Sequence, residues 1–203
     1  MKNILIATKN PGKYGEILEV LGDLPFKFLF LKELNIEDSD FVEDGETFED
    51  NSYKKAKYFF DKTGYTTLGE DSGILVDAFP GELGVKTRRW GAGEHASDDE
   101  WIDHFMIKMG VAENRKARFV SNICFFDGEK KKHFQGETEG VITEKLLADI
   151  VPGIPISSCF IPLGSEKVYA SLSIDEKNKI SHRGKAAWIL KKYITKRLDK
   201  SIS

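Results

Sequence analysis

Short apolar runs alternate with polar breaks along this chain, and the pattern predicts a mixture of strands and helices. The predicted strands cover residues 3–7, 26–31, 66–69, 74–79, 118–126 and 132–139. The predicted helices cover residues 13–22, 48–62, 98–109 and 181–197. The last two strands read as a β-hairpin across Asp127-Gly128. Strands and helices mixed throughout indicate an α/β or α+β fold.

Particular residues mark where several of these elements begin and end. Thr47 is predicted to cap the helix that starts at Phe48, and Gly64 is predicted to end it. Ser181 is predicted to cap the last helix in the same way. The segment 81–93, rich in glycine and arginine, is predicted to be a loop.

Composition narrows the class of protein. The chain has 203 residues, a formal net charge of -3, 40% hydrophobic and 31% charged residues, so we expect one globular domain over residues 1–203. The absence of a basic excess argues against a nucleic-acid partner, and no apolar run reaches the length of a membrane helix. Cys124 and Cys159 have no CxxC spacing, which favours reduced thiols in a cytoplasmic protein.

The first chemical candidate is the polar turn from Thr8 to Lys13, between a predicted strand and a predicted helix. Free backbone N–H groups and the helix dipole at such a turn favour a phosphate group. Thr8 and Asn10 add hydrogen-bond donors, and Lys13 adds a positive charge. The segment matches neither a Walker A loop nor a GxGxxG fingerprint. The alternative is a capped turn with a solvated lysine.

The second candidate is Glu70-Asp71-Ser72-Gly73, which is predicted to be a polar turn between two apolar strands. Adjacent carboxylates are costly to bury unless a cation or hydrogen-bond donors offset their charge. Carboxylate oxygens suit Mg²⁺, and Glu43 and Asp50 lie upstream where they could converge on the same ion. The alternative is an exposed turn that carries two acids.

The third candidate is the basic pair His182-Arg183 in the first turn of the last helix. Helix starts favour acids, so a basic pair there is more natural if it faces a ligand. A structural histidine is the alternative for His182. Phosphate donors, a carboxylate pair and a basic pair together indicate metal-assisted phosphoryl or nucleotidyl chemistry. The chain has no GxSxG elbow for Ser-His-Asp hydrolysis and no HExxH pair for zinc.

Six ordered motifs, spanning residue 4 to about residue 190, resemble those of the inosine triphosphate pyrophosphatase family, the non-canonical purine nucleoside triphosphate pyrophosphatases. The matching motifs are Thr8-x-Asn10-x-x-Lys13-x-x-Glu16, Thr47-Phe48-x-Asp50-Asn51-x-x-x-Lys55-Ala56, Glu70-Asp71-Ser72-Gly73-Ile74-x-Val76-Asp77, Gly81-x-x-Gly84-Val85 with Arg89, Phe134-x-Gly136-x-x-x-Gly140-x-Ile142 and Glu176-Lys177-x-x-Ile180-Ser181-His182-Arg183-Gly184-x-Ala186. The Asp-Ser-Gly and Ser-His-Arg elements are the most specific of them.

The resemblance implies an elongated α/β fold with a mixed β-sheet, flanking helices and two lobes around a central cleft. It also implies a homodimer. The implied reaction is Mg²⁺-dependent hydrolysis of a nucleoside triphosphate to the monophosphate and pyrophosphate. The implied substrates are ITP, dITP and XTP, whose removal cleanses the nucleotide pool.

The resemblance also implies a role for each matching position. The triphosphate would contact Thr8, Lys9, Asn10, Pro11, Gly12 and Lys13, with added charge from Lys55, and Ser72 would hydrogen-bond the substrate. Asp71 would be the general base and a Mg²⁺ ligand, and Glu43 would be the second metal contact, with Asp50 and Glu70 nearby. The base and its 6-oxo group would contact Lys177, His182 and Arg183. Donors matched to a 6-oxo purine reject adenine, because its amino group leaves them unpaired.

One segment departs from the family pattern. The family usually has GFGYDPIF where this chain has Gly153-Ile154-Pro155-Ile156-Ser157-Ser158-Cys159-Phe160, so the aromatic pair and the aspartate are missing. Ile156 offers an apolar face and Ser157 offers a hydroxyl to the substrate instead of a carboxylate. Two alternatives stay open: a related pyrophosphatase with a shifted base preference, and a nucleotide-binding protein without turnover. The intact Asp71 and Lys13 favour turnover.

Overall fold

The computed structural model describes residues 2–36, 40–93 and 95–202, and the other positions of the expected domain lie outside the described residues. The strands are β1 (Lys2–Ala7), β2 (Phe26–Phe30), β3 (Thr66–Val76), β4 (Lys116–Phe126), β5 (Lys131–Ile142) and β6 (Phe160–Pro162). The α-helices are α1 (Pro11–Leu21), α2 (Phe48–Thr63), α3 (Asp98–Met109), α4 (Ile174–Ile180) and α5 (His182–Ile202). No helix within the described ranges combines the length and apolar character needed to cross a membrane.

The six strands form one mixed sheet in the order β2-β1-β3-β4-β5-β6. The β1 strand pairs in parallel with both β2 and β3, whereas β3, β4, β5 and β6 pair antiparallel in succession. The predicted hairpin across Asp127-Gly128 is confirmed as the β4–β5 pair. A mixed sheet with helices packed on it confirms the expected α/β class.

The polar turn predicted at residues 70–73 is wrong, because β3 runs through it as one unbroken strand. Asp71 pairs in register with Asn122 of β4, and Ser72 pairs with Ser121. Polar residues of β3 and β4 therefore lie side by side in the sheet. A pattern read from one segment cannot show this pairing, so the polar stretch looked like a break between strands.

Two apolar cores lie along the sheet on either side of this polar stretch. One core, which we call the α1/α5 core, contains Ile6, Ile17, Leu68, Ile123 and Leu190 among others. The other, which we call the α3 core, contains Ile74, Trp101, Phe105, Phe119 and Phe160 among others. The long strands β3 and β4 supply residues to both cores, so the expected two-lobed architecture is built on a continuous sheet.

Local capping explains where several helices begin. The α3 helix has the predicted bounds, since Ser97 and Glu100 form a reciprocal capping box at its start. Thr47 caps α2 through the Asp50 N–H, and Gly64 ends that helix at φ 69°, as predicted. Helix α1 begins two residues earlier than expected, because Pro11 suits the first helical position.

Several short helices were not predicted, and two of them overlap the sequence motifs. A 3₁₀ helix, Gly84–Arg89, lies inside the segment predicted as a loop. Helix α4 has a Ser173–Glu176 capping box and ends at Ser181. Ser181 also accepts a hydrogen bond at Oγ from the Gly184 N–H (3.0 Å), which confirms its predicted capping of the last helix.

Candidate active site

A cavity of about 550 Å³ lies where the polar stretch of the sheet separates the two cores. Its lining includes ten of the predicted site residues: Thr8, Lys9, Asn10, Lys13, Glu43, Ser72, Ser157, Lys177, His182 and Arg183. The other four predicted residues, Pro11, Gly12, Lys55 and Asp71, lie outside this lining. Segments far apart in the chain are therefore brought to one pocket. We call its Lys13 and Glu43 side the charged end, and its Phe119 and Tyr169 side the aromatic end.

The turn before α1 is built differently from the predicted anion loop. The Asn10 side chain accepts hydrogen bonds at Oδ1 from the Gly12 N–H (2.9 Å) and the Lys13 N–H (3.2 Å). Pro11 has no N–H to offer. The expectation that free N–H groups of this helix start face a phosphate is therefore wrong for these positions. What the turn presents to the pocket is the side chains of Thr8, Asn10 and Lys13.

Glu70 is buried and pairs with two cations that line the pocket. Its Oε2 lies 3.0 Å from Lys13 Nζ, and its Oε1 lies 3.0 Å from Arg183 Nε. Burial by itself would raise the pKa of Glu70, but Lys13 and Arg183 hold it well below the ordinary value. Glu70 is therefore an ionised anchor for these cations.

Asp71 is the buried carboxylate with the opposite pKa shift. It is 6% exposed, next to the pocket-lining Ser72, and accepts a hydrogen bond at Oδ2 from Asn51 Nδ2 (2.9 Å). Burial raises its pKa, and the charge of Glu43 adds to this. Lys55 and the Asn51 hydrogen bond offset only part of the rise. A carboxylate with a raised pKa at the edge of a pocket is suited to accept a proton.

Lys55 links Glu43 to strand β3 beside Asp71. Its ammonium group pairs with the Glu43 carboxylate and donates to the backbone oxygen of Glu70 (2.9 Å). Burial would lower the pKa of Lys55, but Glu43 and Asp71 raise it above the ordinary value. Burial would raise the pKa of Glu43, but Lys55 and Lys13 lower it. Both side chains are therefore charged at neutral pH.

The carboxylates at the charged end fit Mg²⁺ provided that substrate phosphates supply the remaining ligands. Glu43 and Asp71 offer hard carboxylate oxygens, and the effect of Glu43 on the pKa of Asp71 puts the two within electrostatic reach. In the parts of the chain that the structure describes, no three His, Cys, Asp or Glu side chains gather to hold a metal alone. Mg²⁺ ordinarily takes one or two carboxylates together with substrate phosphates. Asp50 is exposed and does not line the pocket.

Arg183 is engaged by protein groups on three sides, which its predicted contact with the base did not anticipate. Its Nη1 donates to the Glu16 carboxylate, its Nε to Glu70 Oε1 (3.0 Å), and its Nη2 to Ser72 Oγ (2.9 Å). Glu16 also pairs with Lys177 Nζ at 2.5 Å. Burial would raise the pKa of Glu16, but Arg183 and Lys177 lower it to about 2.

Glu16 is a site residue that sequence reasoning did not assign. It stood at the end of the first matching motif, so the signal was present. Its function is visible only when the buried cations around it are seen. Helix α5 lies so close to strand β5 that a Cβ atom on Gly136 would be 2.1 Å from the His182 backbone oxygen. This close approach brings Arg183 to Glu16.

His182 is a buried, neutral member of the aromatic end. Its ring stacks on Phe119 with centroids 4.8 Å apart and an angle of 16° between the planes, and lies 6.2 Å from the Tyr169 ring. Burial and the nearby Arg183 hold its pKa well below the ordinary value. Its Nδ1 has no protein partner among the described residues. A neutral imidazole with an unpaired nitrogen can hydrogen-bond a nucleobase edge without a charge.

Comparison with known proteins agrees with this geometry. The model of the Ham1 family matches residues 4–193. This chain belongs to the Ham1 family. The resemblance drawn from the motifs is thereby confirmed.

Relatives and solved structures of the Ham1 family cover nearly the whole chain. A dITP/XTP pyrophosphatase from Caldanaerobacter subterraneus subsp. tengcongensis is 38% identical over 205 residues, covering 99% of this chain and 100% of the relative. The Ham1 protein structure from Coxiella burnetii has a TM-score of 0.82 at 30% identity, covering 97% of this chain and 100% of that one. The Staphylococcus aureus Ham1 structure has a TM-score of 0.80 at 29% identity, with the same coverage.

The segment that departs from the family motif forms part of the pocket wall in this Ham1 protein. Ile154, Pro155 and Ile156 line the cavity. Ser157 lines it too, but its hydroxyl donates to the Ile154 backbone oxygen at 2.7 Å. Its proton is therefore engaged by the protein, and the Ser157 oxygen keeps lone pairs that can accept a hydrogen bond.

The aromatic surface absent from that segment comes from elsewhere. Phe119 of β4 and Tyr169 of a 3₁₀ turn line the pocket, and their rings lie 4.8 Å and 6.2 Å from the His182 ring. Sequence reasoning missed both residues, because Phe119 has the pattern of an ordinary strand residue. Only the packing of two distant segments makes them one surface.

Proposed function

We propose that this Ham1 protein hydrolyses non-canonical purine nucleoside triphosphates, namely ITP, dITP and XTP, to the monophosphate and pyrophosphate. The observation that carries the proposal is Asp71, a carboxylate with a raised pKa between Lys55 and a pocket with one charged and one aromatic end. The name dITP/XTP pyrophosphatase, given to relatives over their full length, supports the same reaction.

The charged end binds the triphosphate in this proposal. Lys13 supplies positive charge, Thr8, Asn10 and Ser72 supply hydrogen bonds, and the exposed Lys9 also lines the pocket. Lys55 adds positive charge from behind Glu43. Pro11 and Gly12 act by shaping the turn. Asp71 takes a proton from the attacking water as the anhydride bond between the α- and β-phosphates breaks. Cations held in place around a carboxylate stabilise the charge that develops in such a step.

Mg²⁺ is the metal that this donor set suits, with Glu43 and Asp71 as its protein ligands. A bound Mg²⁺ neutralises phosphate charge and helps to orient the reacting oxygens. The protein's own part is to supply two carboxylates and to keep them ionised with Lys55 and Lys13.

The aromatic end selects the base in this proposal. Phe119 and Tyr169 offer flat surfaces, and neutral His182 offers ring nitrogens to the base edge, with Lys177 beside it. Arg183 acts from behind them, by holding Ser72 and Glu16. A site that satisfies a 6-oxo purine leaves polar atoms unpaired against adenine, which supplies discrimination.

A homodimer, a cytoplasmic location and a single domain over residues 1–203 are part of the proposal. The dimer is supported by the resemblance alone. The cytoplasmic location also agrees with two buried cysteines that form no disulfide among the described residues.

The test is pyrophosphate release from ITP, XTP, dITP, GTP, ATP, CTP and UTP, with Mg²⁺ and with a chelator. Faster release from ITP, dITP and XTP than from ATP and GTP supports the proposal, and loss of release in the chelator supports the metal. A rate led by another base favours a shifted preference, to which the segment at Ser157 points. Binding without release from any nucleotide contradicts an enzyme.

A further inference from the structure

Gly153 is held from both sides of the pocket. Its N–H donates to Asp98 Oδ2 in the first turn of α3 at 2.6 Å. Its carbonyl oxygen accepts from Asn10 Nδ2 in the turn before α1 at 3.2 Å. We call Asp98, Gly153 and Asn10 the Gly153 bridge. It joins the helix of the α3 core to the turn that leads into the α1/α5 core.

Asn10 connects the Gly153 bridge to the turn that carries Lys13 at the charged end. The Asn10 side chain that donates to Gly153 also accepts from the Gly12 and Lys13 N–H groups. Asp98, Gly153, Asn10 and Lys13 all line the pocket. A displacement of Gly153 therefore reaches the start of α1 through a single side chain.

Close approach at Gly153 makes this connection rigid. Gly153 has φ 79°, which favours glycine, and a Cβ there would lie 2.5 Å from Asn10 Nδ2. The following residues, Ile154 to Ser157, form a wall of the pocket. The bridge therefore spaces that wall from the turn that carries Lys13.

Asp98 has a contact that its neighbours in the helix lack. Asp98, Asp99 and Glu100 all lie in the first turn of α3, so all three favour the helix dipole. Glu100 is used in the capping box, and Asp99 is exposed. Of these three acids, Asp98 accepts the hydrogen bond from the Gly153 N–H, and hydrogen bonds to a charged group of this kind are stronger than neutral ones.

We propose that Asp98 is a positioning residue: through Gly153 and Asn10 it sets the distance between the pocket wall at Ile154 and the triphosphate turn at Lys13. It does so without serving as a proton acceptor or metal ligand. The kinetic part of this proposal rests on the proposed function, because the distance between Ile154 and Lys13 matters only if a base and its phosphates bind between them. A misplacement of about 1 Å can cost about 100-fold in rate.

The kinetic test compares Asp98→Ala with Asp98→Asn and with Asp99→Ala on dITP and dGTP. Asp98→Ala is expected to lower kcat/KM for dITP about 10- to 100-fold and to reduce the dITP/dGTP ratio. Asp98→Asn keeps an acceptor oxygen and is expected to recover most of the loss. Asp99→Ala removes an equivalent charge from the same helix turn and should behave as the unaltered protein.

A second readout does not depend on turnover. Amide hydrogen exchange at Gly12 and Lys13 should be about tenfold faster in Asp98→Ala and unchanged in Asp99→Ala, because the loss passes along the bridge. Unchanged exchange at both amides, or kinetic losses equal in Asp98→Ala and Asp99→Ala, overturns the proposal. If the unaltered protein has no dITP turnover, the proposed function fails, and the exchange data alone decide the bridge.

Discussion

The two ends of the pocket are organised by different forces. At the charged end, Lys13 and Lys55 each pair with a carboxylate, and both carboxylates have pKa values below their ordinary range. At the aromatic end, the rings of Phe119, Tyr169 and a neutral His182 pack against one another. Ion pairs fix the substrate-binding side chains at the charged end, whereas ring packing fixes them at the aromatic end.

This difference predicts which substitutions the site tolerates. A buried charge that loses its partner has a large desolvation cost, so the charged end depends on single atoms. Apolar packing is shared among many contacts and accepts substitutions of similar volume. We therefore expect steep losses from changes at the charged end and shallow ones at the aromatic end.

The largest expected effect is on turnover, from Asp71→Asn. The amide cannot take a proton from water, so kcat should fall about 100- to 10,000-fold in a pyrophosphate-release assay. The fold should persist, since the side chain keeps its shape. Asp77→Asn, at the exposed position after β3, is the matched control and should leave kcat unchanged. Equal losses in the two variants would show that Asp71 has no special role.

The next effect is on stability, from Arg183→Met. This change leaves Glu16 and Glu70 without their shared guanidinium, and breaking a buried pair costs about 3–5 kcal/mol. Urea unfolding measures the loss. Asp23→Asn, which breaks the surface pair with Lys191, is the control and should produce no measurable change. A small loss in Arg183→Met would mean that the charged end is not anchored by this network.

A smaller effect is expected on the pH dependence. Asp71 must be ionised to accept a proton, so activity should be lost as the pH falls through the pKa of Asp71, which burial raises above the ordinary aspartate value. The Asn51 hydrogen bond favours the ionised form, so Asn51→Ala should move the acidic limb of kcat/KM to higher pH. Ser52→Ala, which loses a bond to Asn122 instead, is the matched control. An acidic limb at the same pH in Asn51→Ala contradicts the assignment.

The smallest effect is expected at the apolar wall, from Ile156→Val. Removal of one methylene from this 5% exposed side chain should cost about 0.5–1.5 kcal/mol in stability. The KM should rise by less than about tenfold, with kcat unchanged, because the chemical groups stay in place. Steady-state kinetics on dITP measure both. A fall in kcat as large as that of Asp71→Asn would contradict the expectation that the two ends differ in their tolerance of substitution.

Local signals carried much of the prediction. Thr47 and Gly64 mark the ends of α2, and the apolar spacing of Trp101, Ile102 and Phe105 marks α3, so both helices were predicted within one residue of their bounds. Helix α4 was missed although it has its own capping box, because seven residues are too few to show a clear apolar period.

The candidate site was predicted as a set of segments rather than as an arrangement. The motifs named Lys13, Asp71 and His182, and the structure brings their segments together around one pocket. Phe119 and Tyr169 had no comparable local signal, and the motif that contains Glu16 did not show its role. Each depends on a neighbour far along the chain, such as Arg183 for Glu16, 167 residues away.

The sequence by itself determined the elements, their caps and the residue types that phosphate chemistry requires, because those depend on spacing over a few residues. Only the tertiary structure decided that β3 passes unbroken through Glu70 and Asp71, and that their pKa values move in opposite directions. The reason is that a buried carboxylate takes its properties from its surroundings. Lys13 and Arg183 surround Glu70, whereas Asp71 meets more desolvation than its partners offset.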